Sequence, residues 1–381
     1  MKVFSSAFLH YTGENLIDDG RLYAEHDCDG IPFVFVKTTP YHNNGLKRIF
    51  NWFSFYFNVK KAFKKFAKQY GCPDVIYASS PHLFTMLAGI ELAKKYKKEC
   101  ICEVRDLWPE AIFSVGQCKE NSFVGKVLMA LERHIYEKAD KLVFTKEGDV
   151  DYIKEHNWHI EGGGKIDLSK AYYINNGVDI ELFDRQATEN ILEDVDLHSD
   201  KFNVVYVGAI RLVNNVGNIL DCAKLLSVYN DIQFLIYGDG NELETLKKRV
   251  ADENITNVIF KGRVDRKYIP YVLSKSSLNI LNYSATKYNW SRGNSSNKLF
   301  EYMASGRPVL STVKMGYSII EKYNCGFELE ESTPVDFAKS VLNCYNMTSS
   351  DRNALGENAR RGAGDFDFST LAQKLIETIE K

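Results

Sequence analysis

The chain has 381 residues, 45% of them hydrophobic, and its 48 basic and 50 acidic side chains leave a formal charge of −2. That length suffices for two ordinary domains, and the balanced charge excludes a chain-wide nucleic-acid-binding surface. No apolar run reaches the ~18 residues of a membrane span, and Met1-Lys2 leads into only seven mildly apolar residues, so a cytosolic protein without a secretory leader is expected. The eight cysteines are scattered, with no Cys-x-x-Cys and no histidines at zinc spacing, so reduced thiols and no structural metal are expected. Cys100 and Cys102 alternate with Ile101 in an apolar run and read as small buried hydrophobes.

In chain order, strands are predicted at 3–8, 33–36, 75–79, 100–104, 141–145 and 172–174. A second series follows at 202–207, 233–237, 257–260, 278–281, 309–311 and 326–329. Short Val- and Ile-rich runs interleaved with helical stretches indicate parallel sheets covered on both faces, hence an α/β protein with two doubly wound, Rossmann-like domains. The break falls in the polar stretch 176–201, after the turn Asn175-Asn176-Gly177-Val178-Asp179.

Segment 46–70 holds seven Lys/Arg, no acid and nine aromatic residues. Cations flanking aromatics suit an interfacial helix on an anionic membrane, each surface cation contributing roughly 1 kcal/mol. The alternative is a domain helix whose aromatics face its own core and whose lysines face water.

In the second half, the run 204–207 ends at Gly208, with Arg211 three residues beyond, and the run 234–237 ends at Gly238-Asp239-Gly240. Glycines at the carboxyl ends of parallel strands let a ligand approach the crevice where such folds bind nucleotides. Then a polar turn, Gly293-Asn294-Ser295-Ser296-Asn297, runs into a short amphipathic helix carrying Lys298 and Glu301, and Gly306 closes it before a buried strand. A helix opening on small residues presents free N–H groups and a positive dipole end to a diphosphate without a metal. One turn inside, Glu301 is placed to accept hydrogen bonds from a ribose diol. A plain capped surface helix with a solvated glutamate is the alternative.

Taken together, Arg105-Asp106-Leu107-Trp108-Pro109-Glu110, Ala139-Asp140-Lys141-Leu142-Val143, Asn175-Asn176-Gly177-Val178-Asp179, Tyr237-Gly238-Asp239-Gly240 and Ser296-Asn297-Lys298-Leu299-Phe300-Glu301-Tyr302-Met303-Ala304 resemble the retaining glycosyltransferases of family 4, which have the two-Rossmann GT-B fold. The first and last of these segments resemble the branch that builds bacterial capsule, O-antigen and exopolysaccharide. The resemblance implies an acceptor-side domain over 1–180, a nucleotide-sugar domain over 181–365, and a terminal helix, 366–381, returning to the first domain. It implies that Glu301 holds the nucleotide ribose and that N–H groups around 293–297 hold the diphosphate, with Lys298 or Arg211 supplying positive charge. The base would lie near Gly262-Arg263-Val264, and Asp106 and Arg105 would face the sugar and acceptor. Transfer would need no metal cofactor: fixed dipoles and cations would stabilise the departing diphosphate. The acceptor hydroxyl would attack from the face the diphosphate leaves. The implied partners are a nucleotide-sugar donor, a glycan or polyprenyl-linked acceptor and, through 46–70, the inner face of the plasma membrane, with no nucleic acid.

Three features depart from the family pattern. Eight residues before Glu301, where the family often has a sugar-contacting glutamate, stands Gly293. Ala209 follows Gly208 where an arginine is common, Arg211 is displaced, and Asn214-Asn215-Val216-Gly217 contains no lysine. Finally, the predicted strand 3–8 is followed by a polar excursion and another strand, with no amphipathic helix between. The segment 4–11 resembles the family's second strand, so the first strand–loop–helix of the N-domain is expected to be missing. The competing functions are a nucleotide-sugar 2-epimerase of the same fold, which needs no lipid contact, and a degenerate nucleotide-binding protein without turnover.

Overall fold

The computed structural model describes every residue except 11, 42–45, 81, 115, 117, 286–289 and 332, so Tyr11, in the segment compared above with the family's second strand, lies outside the described residues. The chain forms two compact units, Met1–Thr145 with Tyr152–Tyr173, and Lys146–Asp151 with Ile174–Lys381. The terminal helix expected to return to the first domain is grouped with the second unit.

In the first unit, β1 (Val3–Ser6) pairs in parallel with β3 (Ile31–Val36), and between them in sequence lies β2 (Tyr23–Cys28), antiparallel to β3. β2 occupies the stretch read above as a polar excursion, so this unit is mixed rather than purely parallel. Its cause is the Asp29-Gly30 turn: both residues have positive φ, 54° and 81°, and Cys28 pairs with Ile31 across it. That is the geometry a two-residue hairpin demands. A 25-residue helix, α1 (Leu46–Tyr70), then leads to β4 (Val75–Ser79), α2 (Leu83–Tyr96), β5 (Glu99–Val104), α3 (Trp108–Ser114), α4 (Phe123–Lys138), β6 (Lys141–Phe144), α5 (Asp149–Glu155) and β7 (Ala171–Tyr173). β4 to β7 form a parallel sheet in chain order, with Cys100 and Cys102 fully buried in β5. α1 serves both readings of 46–70. Phe55, Val59, Ala62 and Phe66 pack on Val34, Val36 and Ala88, whereas Ile49, Phe50, Phe53 and Phe57 stay exposed.

Glu132 of α4 is completely buried and accepts hydrogen bonds from the hydroxyls of Tyr136 (2.8 Å) and Tyr152 (2.7 Å). Burial pushes its carboxyl up to about 7, against the opposing pull of the two hydroxyls. A carboxyl raised in the folded state stabilises it while neutral, and that stabilisation is lost as pH rises from 4.5 through 7. Glu132→Gln, which stays neutral, is therefore expected to raise stability at pH 8 by on the order of 2 kcal/mol and to change it little at pH 4. Equal melting shifts at the two pH values would refute this account.

Beyond residues 146–151, the second unit runs through α6 (Ile180–Glu189), β8 (Phe202–Val207), α7 (Val216–Leu225), β9 (Ile232–Tyr237), α8 (Leu243–Asp252), β10 (Val258–Gly262), α9 (Ile269–Ser274) and β11 (Leu278–Leu281). α10 (Asn297–Ala304), β12 (Val309–Ser311), α11 (Ile319–Tyr323), β13 (Gly326–Glu328), α12 (Pro334–Asn346), α13 (Ser349–Gly364) and α14 (Phe368–Glu380) complete it. The six strands are all parallel, in the order β10-β9-β8-β11-β12-β13. Runs such as Phe234-Leu235-Ile236-Tyr237 are buried on both faces, which is why they lack alternation. The chain grows one way from β8 to β10 and then crosses back to β11. The switch point, where doubly wound sheets hold their ligands, thus lies between the carboxyl ends of β8 and β11.

Candidate functional site

Gly208 and Ala209 lie at the carboxyl end of β8, Gly238 to Gly240 at that of β9, and Arg263 and Val264 just past β10. A Cβ on Gly238, which has φ 148°, would stand 1.8 Å from the Gly208 carbonyl oxygen, and one on Gly240 would stand 2.1 Å from that of Ile210. These two glycines therefore answer first to the close approach of the neighbouring strand end. Val207, Gly208, Gly238, Asp239, Arg263 and Val264 surround a cavity of about 290 Å³. A second, of about 310 Å³, is bordered by Val178, Asp179, Arg266, Asn297 and Glu301, and Ile269 lines both.

The turn before α10 is clamped from behind. Asn175 Nδ2 donates to the Asn294 carbonyl at 2.9 Å, Asn176 Nδ2 to that of Ser295 at 2.5 Å, and Ser296 N to Asn294 Oδ1 at 2.7 Å. Gly293 has φ 98°, in the left-handed region that favours glycine, so a glutamate here would be strained. Ser296 occupies the N-cap of α10, yet its side chain makes no capping bond. Asn294 Nδ2 and Ser296 Oγ are buried without a hydrogen-bond partner of normal geometry. A plain capped helix would use that serine; here the Ser296 and Asn294 side chains face the buried Tyr283 hydroxyl instead.

Glu301 is half-buried, with Arg266 at 3.6 Å. Burial raises its carboxyl, and the Arg266 and Lys298 cations pull it back down. Lys298 points into the switch point. A Cβ built on Gly208 would lie 3.2 Å from its Nζ, which also stands 4.9 Å from the Tyr283 ring centre and 5.2 Å from that of Tyr206. With the Asn214 amide turned so that both its atoms are satisfied, its oxygen accepts from Lys298 at 3.1 Å and its nitrogen donates to the Ala209 carbonyl at 3.2 Å. Among the described residues no carboxylate forms an ion pair with this amine, and desolvation pushes it down to about 8.

Of the two cations open in the sequence, Lys298 is the one against Gly208, whereas Arg211 is exposed at the start of a short 3-10 turn. Gly293, Asn294, Ser295, Ser296, Asn297, Lys298 and Glu301 come together on one turn and helix, and Gly208, Gly238, Gly240, Arg263 and Val264 on the strand ends. Arg105 and Asp106 belong to the first unit, exposed beyond β5, where Arg105 N donates to Ser80 Oγ at 3.0 Å. Sequence reading missed Asn214 and Tyr302, and gave Asn175 and Asn176 no task; a buried polar residue beside a strand-end glycine was the available signal.

Residues 187–362 match the family model for glycosyl transferases group 1. The match covers most of the second unit, including the strand ends at 207–209, 238–240 and 263–264 and the turn and helix 293–304, but not Asn175, Asn176, Val178 or Asp179. The chain is 26% identical over 284 residues to a Bacillus subtilis protein named as a teichuronic acid biosynthesis glycosyltransferase, TuaH, which covers 73% of this chain and 66% of that one. Two further curated relatives are spanned over 58 and 54% of their length, so the chain spans two thirds or less of those it matches. Among solved structures, sucrose-phosphate synthase from Thermosynechococcus elongatus has a TM-score of 0.69 at 16% identity, covering 99% of this chain and 87% of that one. Anabaena HepE in complex with UDP has a TM-score of 0.67 at 16% identity, covering 92 and 86%. The shared architecture is the GT-B one, with two Rossmann-like units.

Proposed function

We propose that the protein is a retaining glycosyltransferase that moves a sugar from a nucleoside diphosphate to a glycan acceptor in the synthesis of a bacterial surface polysaccharide. The observation that carries this reading is the α10 start at the switch point, where a turn of small polar residues leads into a helix that sets the Lys298 amine against Gly208 and carries Glu301 beside Arg266. The relatives named as glycosyltransferases support it. In this reading Glu301 takes the ribose diol and Arg266 leaves it, while the base enters the cavity beside Arg263 and Val264. The diphosphate lies between the Gly208–Ala209 backbone and the start of α10, with Lys298 rather than Arg211 as its cation. No step calls for a metal: fixed dipoles and one amine meet the charge of the leaving group. Arg105 and Asp106 are proposed to hold the acceptor, whose hydroxyl attacks from the face the diphosphate leaves and passes its proton to the departing phosphate. A thermal-shift panel of UDP-, GDP- and dTDP-sugars tests the donor side, since a ligand stabilises the fold by RT ln(1 + [L]/Kd). One nucleotide series should raise Tm and be consumed when acceptor is added; no shift and no turnover with any of them would defeat the reading.

The exposed face of α1 supports a lipid-linked acceptor. Its first half shows Ile49, Phe50, Phe53 and Phe57, and its second Lys61, Lys64, Lys65 and Lys68, an apolar-then-basic stripe suited to anionic headgroups. Among the described residues no helix is long and apolar enough to cross a membrane, so attachment would be peripheral. Lys60 is engaged with Glu91 at 2.7 Å and is left out of the test. Changing the four exposed lysines to glutamate is expected to release the protein from phosphatidylglycerol vesicles in a sedimentation assay while leaving its Tm unchanged. Undiminished sedimentation would reduce α1 to a domain helix.

A further inference from the structure

At the switch point a buried side chain of α10 takes up backbone groups that β11 leaves unmet. Hydrogen bonding along β8 alternates between its neighbours. Phe202 N donates to Asp231 O and Gly208 N to Tyr237 O, so the even residues face β9. Ser277 N donates to Asn203 O, so the odd residues face β11. The β8–β11 register pairs Val204 with Leu278 and Val205 with Asn279 and goes no further, although β11 continues to Leu281. Val207, the last residue of β8, therefore turns its N–H and C=O towards a strand that does not meet them. Tyr302 of α10 meets both: its hydroxyl accepts from Val207 N at 3.0 Å and donates to Val207 O at 3.0 Å. The ring is fully buried. A single hydroxyl takes the place of a strand, so β8 and β11 part without leaving Val207 unpaired.

We infer that Tyr302 is a positioning residue for the diphosphate: it fixes the carboxyl end of β8, and so the spacing between the Gly208–Ala209 backbone and the Lys298 amine one turn earlier on the same helix. The inference rests on the donor reading proposed above. It assigns Tyr302 its main effect on the phosphates and a smaller one on the nucleoside, because Val207 and Gly208 only border the cavity beside Arg263 and neither Glu301 nor Arg263 bonds to Val207.

The test is calorimetric binding by wild type and Tyr302→Phe of UDP, GDP or dTDP, whichever binds wild type best, against the matching nucleoside. Tyr302→Phe should weaken the nucleoside diphosphate tenfold or more and the nucleoside less than twofold. Equal losses for both ligands, or none, would overturn the inference and leave Tyr302 a purely structural residue. Should the variant fail to fold, hydrogen exchange at the wild-type Val207 amide gives the answer. Its exchange should slow on binding the nucleoside diphosphate and not the nucleoside; equal slowing, or none, overturns the inference. A wild type that binds none of the three nucleotides removes the donor reading and this inference with it, whereas tight wild-type binding with unaltered Tyr302→Phe selectivity removes only the inference.

Discussion

Glu301→Ala is expected to weaken nucleoside diphosphate binding about a hundredfold or more while leaving the fold intact. A carboxylate accepting from both hydroxyls of a ribose makes two charge-assisted hydrogen bonds, each contributing roughly 1.5–3 kcal/mol, so their joint loss spans two or more decades in Kd. The apo protein has little to lose by the change. Glu301 is half-buried, burial disfavours its charge, and among the described residues its one ion pair is with Arg266, whose side chain is 86% exposed. An ion pair to so exposed a partner contributes little. Tm without ligand should therefore stay close to wild type, which separates loss of a contact from loss of the fold. The nucleoside should weaken by the same factor as the nucleoside diphosphate, and a 2′,3′-dideoxy analogue should be nearly indifferent to the substitution. Binding of the nucleoside diphosphate within threefold of wild type would remove Glu301 from the ribose. The equal loss differs from the selective loss expected of Tyr302→Phe, so the two variants divide the site into a ribose half and a phosphate half.

The parts of this molecule that sequence reveals are those set by local pattern. The strands of the second unit are buried on both faces, so Val204-Val205 or Leu235-Ile236 show as unbroken apolar runs bounded by glycine or polar turns. β2 escaped notice because Glu25, His26 and Asp27 are exposed, which erased the apolar signal, although Asp29-Gly30 carried the hairpin in plain view. The polar turn at 293–297 was legible for the same local reason: small residues before an amphipathic helix. Which cation lies against the strand-end glycine was not legible. Arg211 sits three residues past Gly208 in sequence, Lys298 ninety residues away, and only the packing of α10 into the gap between β8 and β11 brings the lysine to the glycine. The Asn175–Asn176 clamp is likewise a contact across more than a hundred residues. Motif spacing marks the residues; strand order decides which of them meet.

The Lys298 amine makes a pH-dependent prediction whose sign follows from its surroundings. Desolvation lowers it to about 8 in the free protein, and the nearby Glu301 charge opposes that shift without cancelling it. A diphosphate beside it would favour the ammonium form and raise its pKa, so binding takes up a proton above pH 8. Affinity should be level from pH 6.5 to 7.5 and then fall by up to tenfold per pH unit above 8, until the pKa of the complex is reached. None of the tyrosines facing this amine titrates in that window. Burial pushes the hydroxyls of Tyr206 and Tyr302 well up and that of Tyr283 to about 12, while the Glu301 carboxyl, raised by burial, is drawn back down by the Arg266 and Lys298 cations. Lys298→Met, similar in length and free of charge, should weaken binding about ten- to a hundredfold at pH 7 by removing one charge-assisted contact, and should flatten the profile between pH 7 and 9. The stability of the ligand-free protein should move the other way. A lysine whose folded pKa lies below 10.5 costs stability while protonated and ceases to do so as pH rises through 8 towards 10.5, so the methionine variant should melt higher at pH 7. A substitution that raises Tm while removing both affinity and its pH dependence is the signature of an amine placed for a ligand. Were the variant to keep the wild-type fall in affinity above pH 8, the titrating group would lie elsewhere, and the exposed Arg211 would return as the candidate for the diphosphate cation.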